Sequence, residues 1–301
     1  MKEIMSFLEL VTDISEPPKP IIGNGILLPQ SLLTIIGAPK VGKSFLVFNL
    51  VAALAAGIGF ACFYIDKRYK TLILSAEGGY YPNRHRIRRI TKGFDKNALE
   101  NAYFSSNVNL YIDNNEHYDS IVDCIGELEI DVLIIDPLIR FHHQDENSSI
   151  GMSQVMSLIR QLIHMTGVSI ILVHHTGKQV SRGGRGSSVI TGEYDSAIYM
   201  TKKCNGLELS FDMRHVETPE SVSLQFNPET FWFEEMTASA PERENPVMAH
   251  LKQSGPMKQS DLVRDLMNHE AGSSSSAYRW VDSAKKDEKI KENNGMLELV
   301  E

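Results

Sequence analysis

A chain of 301 residues with 42 % apolar and 23 % charged residues has the make-up of a globular protein with one large domain and a small one. A net charge of −8 excludes a protein that coats nucleic acid through general basicity, so any such contact must come from local patches. Three scattered cysteines (Cys62, Cys124, Cys204) have neither metal nor disulfide spacing, which fits a reducing cytoplasm.

The N-terminal segment, residues 1–19, carries acids early and lacks the apolar core of a signal peptide. From residue 20 to 236 short apolar runs alternate with helical patterns, which predicts an α/β core with a mostly parallel sheet. The first run, "LLTIIG", leads into Gly37-Ala38-Pro39-Lys40-Val41-Gly42-Lys43-Ser44, a full match to G-x-x-x-x-G-K-[ST], and a helix opens at Phe45. Strand, glycine loop and helix in that order form a phosphate cradle whose backbone N–H groups point at phosphate oxygens. Lys43 is placed to reach the β- and γ-phosphates of a bound nucleotide, and Ser44 to bind Mg²⁺. The stretch 45–65 is apolar enough to cross a bilayer. Its start at the phosphate loop, with Gly57 and Gly59 inside it, predicts instead a buried helix to about Ala56, a turn, and a strand "FACFYI".

The next core strand, "TLILSAE", ends in Glu77, followed by Gly78-Gly79. A carboxylate there can polarise a water in line with the γ-phosphate; as a plain strand-end acid it would only be solvated. "NRHRIRRITK" (83–92) follows as a basic helix, either a face for nucleic acid or a solvated surface. "VLIIDP" ends in Asp136, which at the carboxyl end of a parallel strand is placed to hold Mg²⁺ through water. Pro137 leaves no neighbouring glutamate, so Glu77 is the candidate hydrolytic carboxylate. His142 and His143, in the loop that follows, read as polar loop sequence. "SQVMSLIRQLIHMTG" has helical spacing and leads to the strand "SIILVHHT". His174 and His175 there should point to opposite faces, one to sense the γ-phosphate and one to serve the structure. "GKQVSRGGRGSS" (177–188) is a Gly-rich basic loop whose Lys178, Arg182 and Arg185 suit single-stranded nucleic acid, with a solvated surface as the alternative.

From 196 to 235 the texture is that of strands: "SAIYM", "LELSFDM", "SVSLQF" and "FWFEE". Residues 237–246 read as a linker and 247–301 as a separate module of three helices, the second capped by Ser260, and a hairpin turning at Asn294-Gly295. That order resembles a winged helix. With eight basic against nine acidic residues from Asn245 onward, it fits DNA and protein docking equally.

Taken together, "GAPKVGKS", "SAEGG", "IIDPLIRFHHQDENSS", "VHHTGK" and "GRGSS", in this order across residues 20 to 235, resemble RepA-type replicative helicases of plasmids and mobile elements, within the wider RecA, DnaB and KaiC class. The resemblance implies a RecA-like core, a hexameric ring with ATP between subunits, and single-stranded DNA in the channel; a replication initiator or primase is a candidate partner. It also implies Glu77 as catalytic glutamate, Asp136 as metal-side aspartate, His175 as phosphate sensor and the Arg185 loop as channel-facing. Arg214 stands where this class has a Lys-x-Arg pair that reaches the neighbour's site. Here the first position is Asp212, so half the pattern is present and Arg185 is the alternative finger. A regulatory switch ATPase remains as the rival reading. A small-molecule kinase is disfavoured by Glu77 and by the lack of an acceptor-site lid.

Overall fold

The computed structural model describes residues 4–106, 109–175, 189–190, 192–203, 206–236, 245–269, 274–286, 289–293 and 295–300. They form two units, divided between Met236 and Thr237. In the larger unit a short helix α1 (Phe7–Thr12), closed by a capping box of Ser6 and Glu9, precedes the core. The sheet then collects β1 (Leu32–Gly37), β2 (Thr71–Ser75), β3 (Ala102–Ser105), β4 (Val132–Asp136), β5 (Ser169–His175), β6 (Ser196–Lys203), β7 (Gly206–Met213), β8 (Val222–Phe226) and β9 (Phe233–Glu235). Its order is β3-β2-β4-β5-β1-β6-β7-β8-β9, parallel from β3 to β6 and antiparallel beyond.

The parallel strands read as unbroken apolar runs because both of their faces are covered. Leu33, Ile35, Ile73, Ile134, Ile171 and Val173 pack with helix α2 (Lys43–Ala56) on one face. Leu32, Ile36, Leu74, Leu133, Ile135 and Leu172 pack on the other with α5 (Asn115–Leu128) and α6 (Ser149–Thr166). α2 is buried almost all round from Leu46 to Ala55, the mark of a core helix, and stops at Gly57, whose φ of 69° caps it in the left-handed conformation. No helix among the described residues is long and apolar enough to cross a membrane. One polar side chain sits within the buried stretch 46–55 of α2: Asn49, fully buried, donates to Phe231 O at 3.0 Å and accepts from Phe233 N at 2.9 Å, fastening the turn between β8 and β9.

Several expectations are corrected. "FACFYI" is not a strand of the sheet but a tight loop in which Phe60 and Phe63 bond only each other; its apolar residues are tucked against the α2 layer instead. The edge strand β3 and helix α5, neither of them anticipated, extend the core.

In the second unit, helices Pro246–Ser254, Gln259–His269 and Ser274–Lys286 pack on a hairpin of β10 (Ile290–Asn293) and β11 (Met296–Leu299). Met257, between the first two helices, adds an antiparallel bridge to Leu297. The first helix takes in Pro246, one residue of the expected linker, and is capped by Asn245. The second begins at Gln259, so Ser260 lies inside it rather than capping it. The remaining expected linker residues, 237–244, and Asn294 of the hairpin turn lie outside the described residues.

Candidate nucleotide site

The phosphate loop springs from the carboxyl end of β1, the central strand of the nine. Gly42 initiates α2 with φ 105°, a conformation L side chains rarely adopt, and a Cβ there would meet the Phe233 ring at 3.2 Å. Gly37 is close-packed too: a Cβ would lie 2.8 Å from Met200 O on β6. α2 begins at Lys43, so the positive end of its dipole and its unpaired N–H groups face the loop. Lys43 is 4 % exposed; its ammonium donates to Gly37 O at 2.7 Å and Ala38 O at 2.9 Å. Burial pulls its pKa down to about 8, against the pull of Asp136 and Glu77.

Asp136 ends β4 beside this lysine, 2 % exposed. Burial raises its carboxyl to about 6; a hydrogen bond from the Ser44 side chain and the charges of Lys43 and Arg86 oppose the rise, while Glu77 adds to it. Its Oδ2 is buried with no hydrogen-bond partner. An orphaned carboxylate oxygen beside a serine hydroxyl is a hard-oxygen donor set that fits Mg²⁺, which Ser44 and Asp136 would hold.

Glu77 lies two residues past β2, on a loop tied to β4 by the Ala76 N–H bond to Asp136 O at 3.0 Å. It is exposed, and its charge acts on Lys43, Asp136 and His175. Sequence reasoning passed over what fixes this loop. Helix α3 (Tyr80–Ile90) contains the fully buried Asn83, whose amide donates to Glu77 O at 2.8 Å. Arg86 donates to Asn83 Oδ1 at 3.1 Å and lies over the Phe45 ring, 4.9 Å from its centroid. The only forewarning in the sequence was an amide inside an arginine-rich helix next to Glu77.

The two histidines part as alternation requires. His175 pairs in register with Gly37 and shares its face with α2; burial lowers its pKa, and Lys43 reinforces the effect. His174 faces the α5/α6 layer, where burial holds its pKa at about 4 and so keeps it neutral. Its Nδ1 lies 3.7 Å from Glu146 Oε1, beyond hydrogen-bond length, and neither atom has a hydrogen-bond partner. His142 is no polar loop residue: it is 5 % exposed, with both ring nitrogens unpartnered. His143 does stay outside, bonded to Asp113 and lying against the Tyr111 ring with centroids 3.9 Å apart.

Two further expectations change. The basic helix is not an open cationic face: Arg84 lies over Tyr80 and Tyr81, and Arg89 lies over Phe231 and donates to Pro228 O. Only Arg88 and Lys92 of its cations are exposed without such a ring. Arg214 is not near the phosphate loop of its own chain. It follows Met213, which pairs with Ser196 level with Leu33, and it donates to Gly192 O at 2.6 Å. Four residue rises, roughly 13 Å, separate that level from Gly37. Lys178, Arg182 and Arg185 lie outside the described residues.

A phosphate loop on a central parallel strand, with Asp136 on the second strand over, defines a RecA-like P-loop fold with a nucleotide-binding loop. The profile of the AAA domain family matches residues 5–181, more than half of the chain, and the chain belongs to that family. It is 26 % identical over 183 residues to the DNA repair protein RadA of Halalkalibacterium halodurans; the match spans 60 % of this chain and 34 % of RadA, about a third of that protein's length. Among solved structures, the RadB recombinase superposes with a TM-score of 0.51 at 12 % identity, over 69 % of this chain and 92 % of that one. A KaiC-like protein of Pyrococcus horikoshii gives 0.50 at 13 % identity, over 74 % of this chain and 98 % of that one. At these identities the likeness is one of fold.

Proposed function

We propose that this chain is an ATP-hydrolysing ring motor on single-stranded DNA, a replicative helicase of a plasmid or other mobile element of the RepA type. The observation that carries the reading is the meeting of Lys43, Ser44, Asp136, Glu77 and His175 at the carboxyl edge of the parallel strands. Residues 37–45 bind the triphosphate through backbone N–H groups and the Lys43 ammonium. Mg²⁺ at Ser44 and Asp136 would neutralise phosphate charge. Glu77 accepts a proton from the attacking water, and His175, on the loop's face of β5, hydrogen-bonds the γ-phosphate. Arg214 sits at the opposite end of the strands, so it serves a neighbour's nucleotide if it serves any; Arg185 is the alternative. A relative named as a DNA repair protein supports DNA as the partner, with Lys178, Arg182 and Arg185 as its contacts.

The three helices, the bridge at Met257 and the hairpin of the C-terminal unit follow the order of a winged helix, a module for DNA or for a replication partner. The test is ATP turnover with and without single-stranded DNA, with Glu77→Gln as control. Stimulation that disappears in the variant supports the motor. Turnover indifferent to DNA favours the regulatory ATPase, a reading to which the charge of −8 and the C-terminal unit lend weight.

A further inference from the structure

We infer that Asn83 and Arg86 are positioning residues for hydrolysis: they fix the Glu77 loop and tie it to the first turn of the nucleotide helix. The inference rests on the ATPase reading above and assigns its geometry to residues outside the nucleotide-binding loop.

Glu77 is placed on an exposed loop, between a strand that ends at Ser75 and a helix that begins at Tyr80, with Gly78 at φ 82° and Gly79 at φ 64°. Two consecutive glycines of positive φ make a pliable segment, and a pliable segment does not hold a base within the tolerance that general-base catalysis needs. Something else must hold it. Asn83 does so from one turn into α3: its side chain is fully buried, and its Nδ2 donates to the carbonyl of Glu77 itself at 2.8 Å. The loop passes close to this amide, where a Cβ on Gly78 would lie 3.0 Å from Asn83 Oδ1. That Oδ1 in turn accepts from Arg86 at 3.1 Å, one turn further along α3. Both polar atoms of the amide are therefore engaged, and their orientation is fixed by partners on either side.

Arg86 is the link to the nucleotide. Its guanidinium lies 4.9 Å from the centroid of Phe45, the residue after Ser44, and its charge is felt at Asp136. Phe45 is itself wedged edge-on against Phe226 at 4.9 Å and Phe231 at 5.4 Å, so the ring is a firm abutment. The chain of contacts runs from the Glu77 carbonyl through Asn83 and Arg86 to Phe45. It fixes the distance between the base and the phosphate loop without touching the nucleotide.

The experiment uses the full chain and reads kcat and KM for ATP, Kd for ADP and the thermal midpoint for Arg86→Ala, Arg86→Lys, Asn83→Ala and the double variant. A misplaced base is expected to lower kcat about 10- to 100-fold in Arg86→Ala and in Asn83→Ala, with ADP affinity near that of the wild type in both and the thermal midpoint near it in Arg86→Ala; loss of the buried amide lowers the midpoint in Asn83→Ala. Arg86→Lys, which keeps one donor and a cation over the ring, is expected to recover part of the loss. The double variant should fall no further than the worse single, because the two residues act in series. Losses that multiply in the double variant would overturn the inference, since Arg86 would then act on its own. So would an unchanged kcat, or a loss of kcat that merely tracks the midpoint and ADP affinity. Should Asn83→Ala fail to fold, the half-exposed Arg86 pair decides alone. A wild-type chain that binds ADP yet never turns over ATP refutes the ATPase reading and this inference with it. Turnover that is normal in both single variants overturns only the positioning role.

Discussion

Replacing Asp136 with asparagine is expected to make the nucleotide-free protein more stable at pH 8 while abolishing turnover. The carboxyl is 2 % exposed and is raised from the ordinary 3.8 to about 6, with burial as the main cause. A group whose folded pKa is raised disfavours folding once it ionises. The penalty is small below about pH 4, grows between 4 and 6, and is complete above 6. A rise of about two pKa units corresponds to about 3 kcal/mol above pH 6. Lys43 does not cancel this, because its own pKa is pushed down to about 8, the direction in which burial outweighs the pair's attraction. Urea unfolding followed through Trp232, in a Trp280→Phe background, should show Asp136→Asn more stable by about 2–3 kcal/mol at pH 8, with the gap shrinking to about 1 kcal/mol at pH 4.5. A variant less stable than wild type at pH 8 would mean that the Lys43–Asp136 pair holds the fold together, and the reasoning from burial would fail. So would a gap independent of pH.

The same titration governs metal binding: the gain in ADP affinity on adding Mg²⁺, measured by calorimetry from pH 8 to 5, should fade as the pH drops through about 6 and Asp136 takes up a proton. Asn49→Ala leaves two buried backbone groups of the β8–β9 turn unpaired and should cost about 2–3 kcal/mol in the same urea experiment. Arg214→Ala should leave ADP affinity unchanged and abolish DNA-stimulated turnover. Mixing it with Glu77→Gln chains should restore part of that turnover, because each supplies at a shared interface what the other lacks; a mixture no better than its components would remove Arg214 from the neighbour's site.

The sheet was legible where strands are buried on both faces, since an unbroken apolar run such as "VLIID" has few other places to go. The same logic misread "FACFYI", which is apolar because it tucks against the α2 layer, not because it pairs. β3 escaped notice for the opposite reason: "AYFS" is a four-residue, half-exposed strand at the sheet's edge, with too little pattern to register. In the site, the phosphate loop and the divergence of His174 from His175 follow from spacing alone. The arginines of α3 do not, because a count of charges cannot reveal that Arg84 rests on the tyrosines of its own helix, or that Arg86 and Arg89 rest on rings contributed by other parts of the chain. Asn83 was hidden for a related reason: its task depends on which carbonyl the fold brings to it. The place of Arg214 needed the register of β6 with β7, which pairs residues 17 positions apart (Ser196 with Met213) and leaves no trace in local composition.

That register has a mechanical meaning. β6 is hydrogen-bonded to β1 from Ser196 to Met200 and to β7 from Ser196 to Lys203. The phosphate loop and Arg214 are thus opposite ends of one stiff girder, whose length cannot change without breaking the ladder. In the proposed ring, a subunit could not advance its arginine toward the next nucleotide by flexing internally. It would have to pivot as a whole, so each hydrolysis event would be passed round the ring as a rotation of rigid bodies, with the slack confined to the joints between them.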